Sequence, residues 1–156
     1  MVSEVRATNR SAVDWALLIA RIIVGFVFFL HGSQKLFGAF GGPGLSGVVQ
    51  MMGPLGYFVT IGEFFGGLGL IVGFLSRFSA AAIIVIMLGA IGMVHGKNGF
   101  FMNWMGNQAG EGFEYHVLAI AVLSTILIAG PGRYAIGHFL PLPKSKGLER
   151  PIAVLE

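Results

Sequence analysis

Six residues carry most of the chemistry this chain could do: Arg21, His31, Lys35, Glu63, His95 and His116. All stand inside, or at the ends of, long apolar stretches. An ionisable group inside an apolar span is costly, so it normally faces a partner, a ligand or a wet cavity. Arg21, Gly25, Phe28, Gly32 and Lys35 recur at the spacing of one helix face, with His31 beside that face one turn before Lys35. Along a helix, Arg21 sits about 15 Å from His31, and Glu63 lies roughly 12 Å into its own stretch. A direct Arg21–Glu63 pair would therefore need extended side chains or offset helices. Two uses remain open for Glu63: a fixed polar contact that sets helix register, or a ligand or proton site.

His31, His95 and His116 map to the same ends of three different apolar stretches, with Lys35, Lys97, Glu111 and Glu114 near in sequence. Imidazole is the commonest metal ligand. Yet no pair shows the tight spacing of HxxxH or HExxH sites. Interfacial histidines, a shared polar pocket and a metal or haem site all remain open, and the expectation is no metal. The chain has no cysteine, which removes disulfides, thiol nucleophiles and iron–sulfur ligation. There is no nucleophile elbow or P-loop, and Gly66-Gly67-Leu68-Gly69 lies inside an apolar run rather than opening a helix after a strand.

The elements that must position these groups are four apolar stretches: Trp15–Leu36, Leu55–Leu75, Phe78–Val94 and Tyr115–Pro131. About 20 mostly apolar residues cross a bilayer as a helix. The chain is 55% hydrophobic and 11% charged, with a mean hydropathy of +0.82; soluble domains carry about 25% charged residues. The expected architecture is all-α, a polytopic four-transmembrane-helix bundle. Its expected parts are residues 1–14, a membrane domain over 15–137 and a tail over 138–156. The apolar run after the polar N-terminal stretch is long and holds Arg21, so it reads as an uncleaved first helix, not a signal peptide.

With four spans, Arg6, Arg10, Arg77, Arg133, Lys144, Lys146 and Arg150 share one side, and Lys35 and Lys97 share the other. Lys and Arg accumulate on the cytoplasmic side. Both termini are thus expected in the cytoplasm of a bacterial cell, the chain in its inner membrane. The pI near 9.6 follows from this bias and does not point to nucleic acid. Loops 37–54 and 95–114 then face outward. Val48–Met52 reads as a short interfacial helix, and the second and third stretches are expected to join through Ser76–Ser79. Phe100, Phe101 and Trp104 suit the membrane interface. The tail from Pro141 to Glu156 is expected to be extended and mobile.

Gly62, Gly66, Gly69 and Gly73 share a face of the second stretch, Gly89, Gly92 and Gly96 form a similar stripe in the third, and Gly25 and Gly32 lie in the first. Small residues at such spacing let helices approach closely within lipid. The pairs His31-Gly32 and His95-Gly96 close the first and third stretches, an echo that a duplicated hairpin would produce.

The first stretch resembles the DoxX family of small bacterial membrane proteins, through Arg21, Gly25, Phe29, His31, Gly32, Lys35, Leu36 and Phe37 in order. Glu63, Gly66, Gly67, Leu70 and Gly73 continue the likeness, as does the stop at Gly130-Pro131-Gly132. Where many members end in Ser-x-Asp, this chain has Arg133-Tyr134-Ala135-Ile136-Gly137. The resemblance implies the four-helix fold and a lean toward quinone-linked redox systems. On that basis the expected role is an accessory redox subunit, with quinone or quinol meeting donors such as His31, Lys35 or Arg21 while Glu63 handles a proton. The expected partners are the lipid bilayer, a membrane-associated redox enzyme and a second copy of the chain. The rival roles are an assembly protein that anchors a partner enzyme, and a small-solute permease.

Overall fold

The structure, a computed structural model, describes residues 2–139. Every regular element in that range is helical. The first helix, α1 (Val2–Phe37), is followed by a 3-10 turn at Ala39–Gly41 and a short helix, α2 (Gly44–Met52). Then come α3 (Leu55–Val72) and α4 (Ser76–Ala90). α4 runs on through a π-helical turn, Ile91–His95, into a 3-10 turn, Gly96–Asn98. A loop leads to α5 (Glu114–Ala129), and a 3-10 turn closes the described chain at Ile136–Phe139.

Three helical stretches are long and apolar enough to cross a membrane: Arg10–Phe37, Leu55–Val72 and Ser76–Asn98. α5 is apolar but shorter, at 16 residues. It covers about 24 Å against a hydrocarbon core of about 30 Å. The outer faces of the long helices are largely apolar, with Ile23, Phe26, Phe65, Phe78, Leu118 and Ile128 all exposed. Apolar patches of that extent mark a surface that meets something other than water, and they suit lipid.

α1 is helical from Val2, through the polar N-terminal stretch. Two expectations need correction. Ser76–Ser79 is not the connection between α3 and α4 but the first turn of α4. The connection is Gly73-Phe74-Leu75, where Gly73 adopts φ +76 and both its own N–H and that of Phe74 bond the Gly69 carbonyl. That left-handed residue ends α3 as glycine commonly does. The interfacial helix is longer than Val48–Met52, beginning at Gly44. The tail from Pro141 to Glu156 lies outside the described residues.

The core is formed by Val24 and Phe28 of α1, Leu70 of α3, Ile83 and Met87 of α4, and Leu123 and Ile126 of α5. α1 and α3 pack backbone to backbone. A Cβ at Gly25 would lie 2.8 Å from the Gly67 carbonyl oxygen, and one at Gly32 would strike the backbone of Phe64. α3 meets α4 through its other glycines: Gly62 faces Ile86, Gly66 faces Ile83 and Gly69 faces Ser79. Gly73 leaves that face and packs on Ala135 and Arg21. The stripe in α4 does not pack as expected: a Cβ at Gly89 or Gly92 would meet no described atom within 4 Å.

These contacts predict unequal responses to one added methyl group. Overpacking costs about 1–3 kcal/mol, and more where backbone must move. Gly67→Ala should lower the melting temperature sharply in mild detergent, whereas Gly92→Ala should leave it unchanged or slightly raised. Equal melting of the two variants would contradict the α1–α3 contact.

Candidate functional site

The two ends of the bundle hold its buried charges in different ways. At one end, Arg21 is fully buried in the middle of α1. Its Nη1 donates to the carbonyls of Leu70 (2.6 Å) and Ile71 (3.1 Å), its Nε to Pro131 (3.0 Å) and its Nη2 to Tyr134 (2.8 Å). Leu70 and Ile71 lie in the last turn of α3, whose carbonyls have no partner within the helix and carry the negative end of its dipole. Pro131 and Tyr134 belong to the segment after α5, which folds back across this end. Arg133 N–H donates to the Asp14 carboxylate at 3.0 Å, Gly137 N–H to Gly73 at 3.1 Å, and Trp15 rests on Tyr134. Arg21 is thus satisfied by backbone and makes no pair with Glu63.

At the opposite end, α1, α3, α4 and α5 enclose a cavity of about 620 Å³. Ligand pockets generally measure about 300–1,000 Å³. Its polar wall gathers His31, Lys35, Glu63, His95, Tyr115 and His116, with Glu111 at the rim. Its apolar wall includes Phe28, Val59, Ile86 and Met87. Five of the six residues singled out from sequence therefore share one cavity, and Arg21 does not reach it.

Local structure explains how each is held. Lys35 stands on the last turn of α1 and bonds Glu63 of α3 at 2.5 Å, an ion pair between the two helices that the glycines bring together. The carboxylate is almost wholly buried, while the ammonium is about one quarter exposed. His31, one turn earlier on α1, faces the Tyr115 ring at 6.2 Å. His95 ends the π-helical turn; such turns are frequent at functional sites. Its Nδ1 donates to the Glu111 carbonyl at 2.8 Å, which leaves Nε2 of a neutral ring to accept. Its ring lies 4.3 Å from that of His116, on the first turn of α5.

The loop between Gly99 and Phe113 is built to hold this geometry. The Glu111 carboxylate accepts from Asn103 N–H at 2.7 Å, and that of Glu114 accepts from Met102 N–H at 3.2 Å. Asn98 also donates to the Glu111 carbonyl. Glu111 and Glu114 thus serve the loop backbone first.

The residue that sequence reasoning missed is Tyr115. Its hydroxyl is buried beside the cavity with no hydrogen-bond partner in the described chain, and the same holds for His116 Nδ1. Its place beside His116, at the start of an apolar stretch, was the available signal. Among the described residues, no group of three or more His, Asp and Glu side chains is placed to hold a metal ion. What the site offers is a set of hydrogen-bond donors and acceptors around one buried carboxylate, against an apolar wall.

An all-helical chain with a lipid-facing exterior and an internal polar cavity is an integral membrane protein. It belongs to the DoxX family, whose model matches residues 16–96, from α1 to the π-helical turn. That stretch holds Arg21, His31, Lys35, Glu63 and His95, whereas Tyr115 and His116 lie beyond it. The chain is also 29% identical over 136 residues to a protein of Bacillus subtilis (strain 168) named "Putative oxidoreductase CatD"; the match covers 83% of this chain and 90% of that protein. No solved structure matches it.

The division of labour between the two ends is testable. An unsatisfied buried carbonyl costs about 1–3 kcal/mol, and neither Gln nor Lys can bond all four. Arg21→Gln and Arg21→Lys should therefore abolish recovery of folded protein in mild detergent, while Glu63→Gln should be recovered normally. A stable Arg21→Gln protein would overturn the capping role.

Proposed function

We propose that this chain is a multi-pass protein of the bacterial cytoplasmic membrane, with four spans and both termini in the cytoplasm. In it, the cavity receives the head of a quinone or quinol on behalf of a redox partner. The topology rests on the charge bias that four spans would give, seven basic residues on one side against Lys35 and Lys97 on the other. It places the cavity at the outward end.

The observation that carries the function is the juxtaposition of the Lys35–Glu63 pair, His31, Tyr115 and His116 with an apolar wall in one cavity. A quinone is a flat apolar ring with two carbonyl oxygens. Lys35, Tyr115 and the histidines can donate to those oxygens, and Glu63 can hold or release a proton beside Lys35. Reduction to quinol takes two electrons and two protons. In this reading the partner enzyme supplies the electrons, and this chain, which has no cysteine to carry them as a thiol, positions the ring and handles protons. The name of the Bacillus subtilis relative agrees with a redox setting.

A second reading, an anchor for a partner enzyme, draws on the loop between Gly99 and Phe113, which presents Phe101, Trp104 and Met105 outward on a hydrogen-bonded frame.

Mass spectrometry of the protein purified in mild detergent decides between them. Wild type should retain quinone, and Glu63→Gln should keep its fold but lose at least about tenfold in quinone affinity, or 1.4 kcal/mol. A redox enzyme co-purifying without bound quinone favours the anchor. For topology, a reporter active only in the periplasm should be silent when fused after Glu156.

A further inference from the structure

The α3–α4 hairpin is closed along only part of its length. From the turn at Gly73-Phe74-Leu75, contact runs through Gly69 on Ser79, Gly66 on Ile83 and Gly62 on Ile86. The next glycine of α3, Gly56, meets Val48 of α2 instead, and a Cβ at Gly89 would meet no described atom within 4 Å. Gly89 lines the cavity, as do Phe58 of α3, Val85 of α4 and Met93 of the π-helical turn. Those last three are also among the most exposed apolar side chains, at 73%, 68% and 66%. Residues that face both the cavity and the exterior form its mouth. This mouth lies on the side of the bundle between two apolar helices, where lipid is the solvent. A glycine in a helix interior is destabilising relative to alanine, and at Gly89 no described neighbour requires the missing side chain.

We infer that the cavity opens sideways into the bilayer between α3 and α4. Its ligand is a membrane-resident molecule whose isoprenoid tail leaves past Gly89, Val85 and Phe58, while its head reaches Lys35, Glu63 and the histidines. This deepens the quinone reading and rests on it. It favours a ligand that arrives from the bilayer over a water-soluble one, because the residues of this mouth are apolar and Lys35 and Glu63 lie behind them.

The test compares two quinones with the same ring, one carrying a full-length isoprenoid tail and one a short-chain analogue, both bound to protein in lipid nanodiscs. Gly89→Leu and Val85→Phe narrow the mouth without touching the polar wall; Leu118→Phe, on an exposed face of α5 away from the cavity, is the control. Folding of each is checked by its melting temperature. Both mouth variants should weaken the long-tailed quinone by at least about tenfold and leave the short-chain analogue and the control near wild type. If both variants bind both quinones like wild type, the sideways opening is wrong while the quinone reading stands. If wild-type protein binds neither quinone, the quinone reading fails and the tail assignment fails with it.

Discussion

The bundle depends on one buried cation, Arg21, that has carbonyl oxygens instead of a counter-ion. Its guanidinium joins the middle of α1, the last turn of α3 and the segment after α5 through four hydrogen bonds. A carboxylate partner would have tied two elements; a planar group with five donors in a fixed fork ties three. The exposed negative ends of helix dipoles are stabilised by the same charge. Within lipid no water can satisfy those carbonyls, so the segment after α5 is held across the end of the bundle rather than trailing away.

Fixing one end tightly leaves freedom at the other. The short turn between α3 and α4 and the glycines of α3 hold the hairpin together near Arg21, and one turn beyond Ile86 a Cβ at Gly89 would meet no described atom within 4 Å. The backbone contact of α1 with α3 continues to Gly32 and Phe64, which brings Lys35 over Glu63. The α1–α3 pair is therefore the rigid wall of the cavity, and the gap between α3 and α4 is its opening. α2 and the loop from Gly99 to Phe113 lie at this same end.

Much of this was legible in the sequence. The apolar stretches were visible because lipid demands a composition that no soluble domain shares. The histidines fell at one level because each follows or precedes a long apolar run, and helix rise fixes depth. Depth also argued against an Arg21–Glu63 pair, and the two are indeed at opposite ends. The true partners stayed hidden for physical reasons. Backbone carbonyls accept hydrogen bonds at any residue, so nothing in the sequence marked Leu70, Ile71, Pro131 or Tyr134. The Lys35–Glu63 pair needed the register of α1 on α3, which small residues permit but do not specify. Gly89 and Gly92 looked like packing glycines because spacing reports that residues share a face, not what that face meets.

The contrast between the two buried charges bears on function. Arg21 is fully satisfied by backbone, and an element in that condition has nothing left to offer a ligand. The cavity is different. Its ion pair is only partly desolvated on the lysine side. The Tyr115 hydroxyl and His116 Nδ1 are buried without partners in the described chain. Each such atom costs about 1–3 kcal/mol, and native structures keep few of them. The Ser76 and Thr60 hydroxyls and Arg77 Nε are also unpartnered in the described chain, but none of them lines the cavity. Two larger groups on successive residues, facing the same cavity as a buried carboxylate, are harder to explain by packing. A stable bundle could have carried Phe and Leu at those positions at no cost in lipid. An incoming molecule that supplies the missing hydrogen bonds, as the quinone reading proposes, accounts for polar groups kept there, and the proposed mouth between α3 and α4 favours one that dissolves in the membrane.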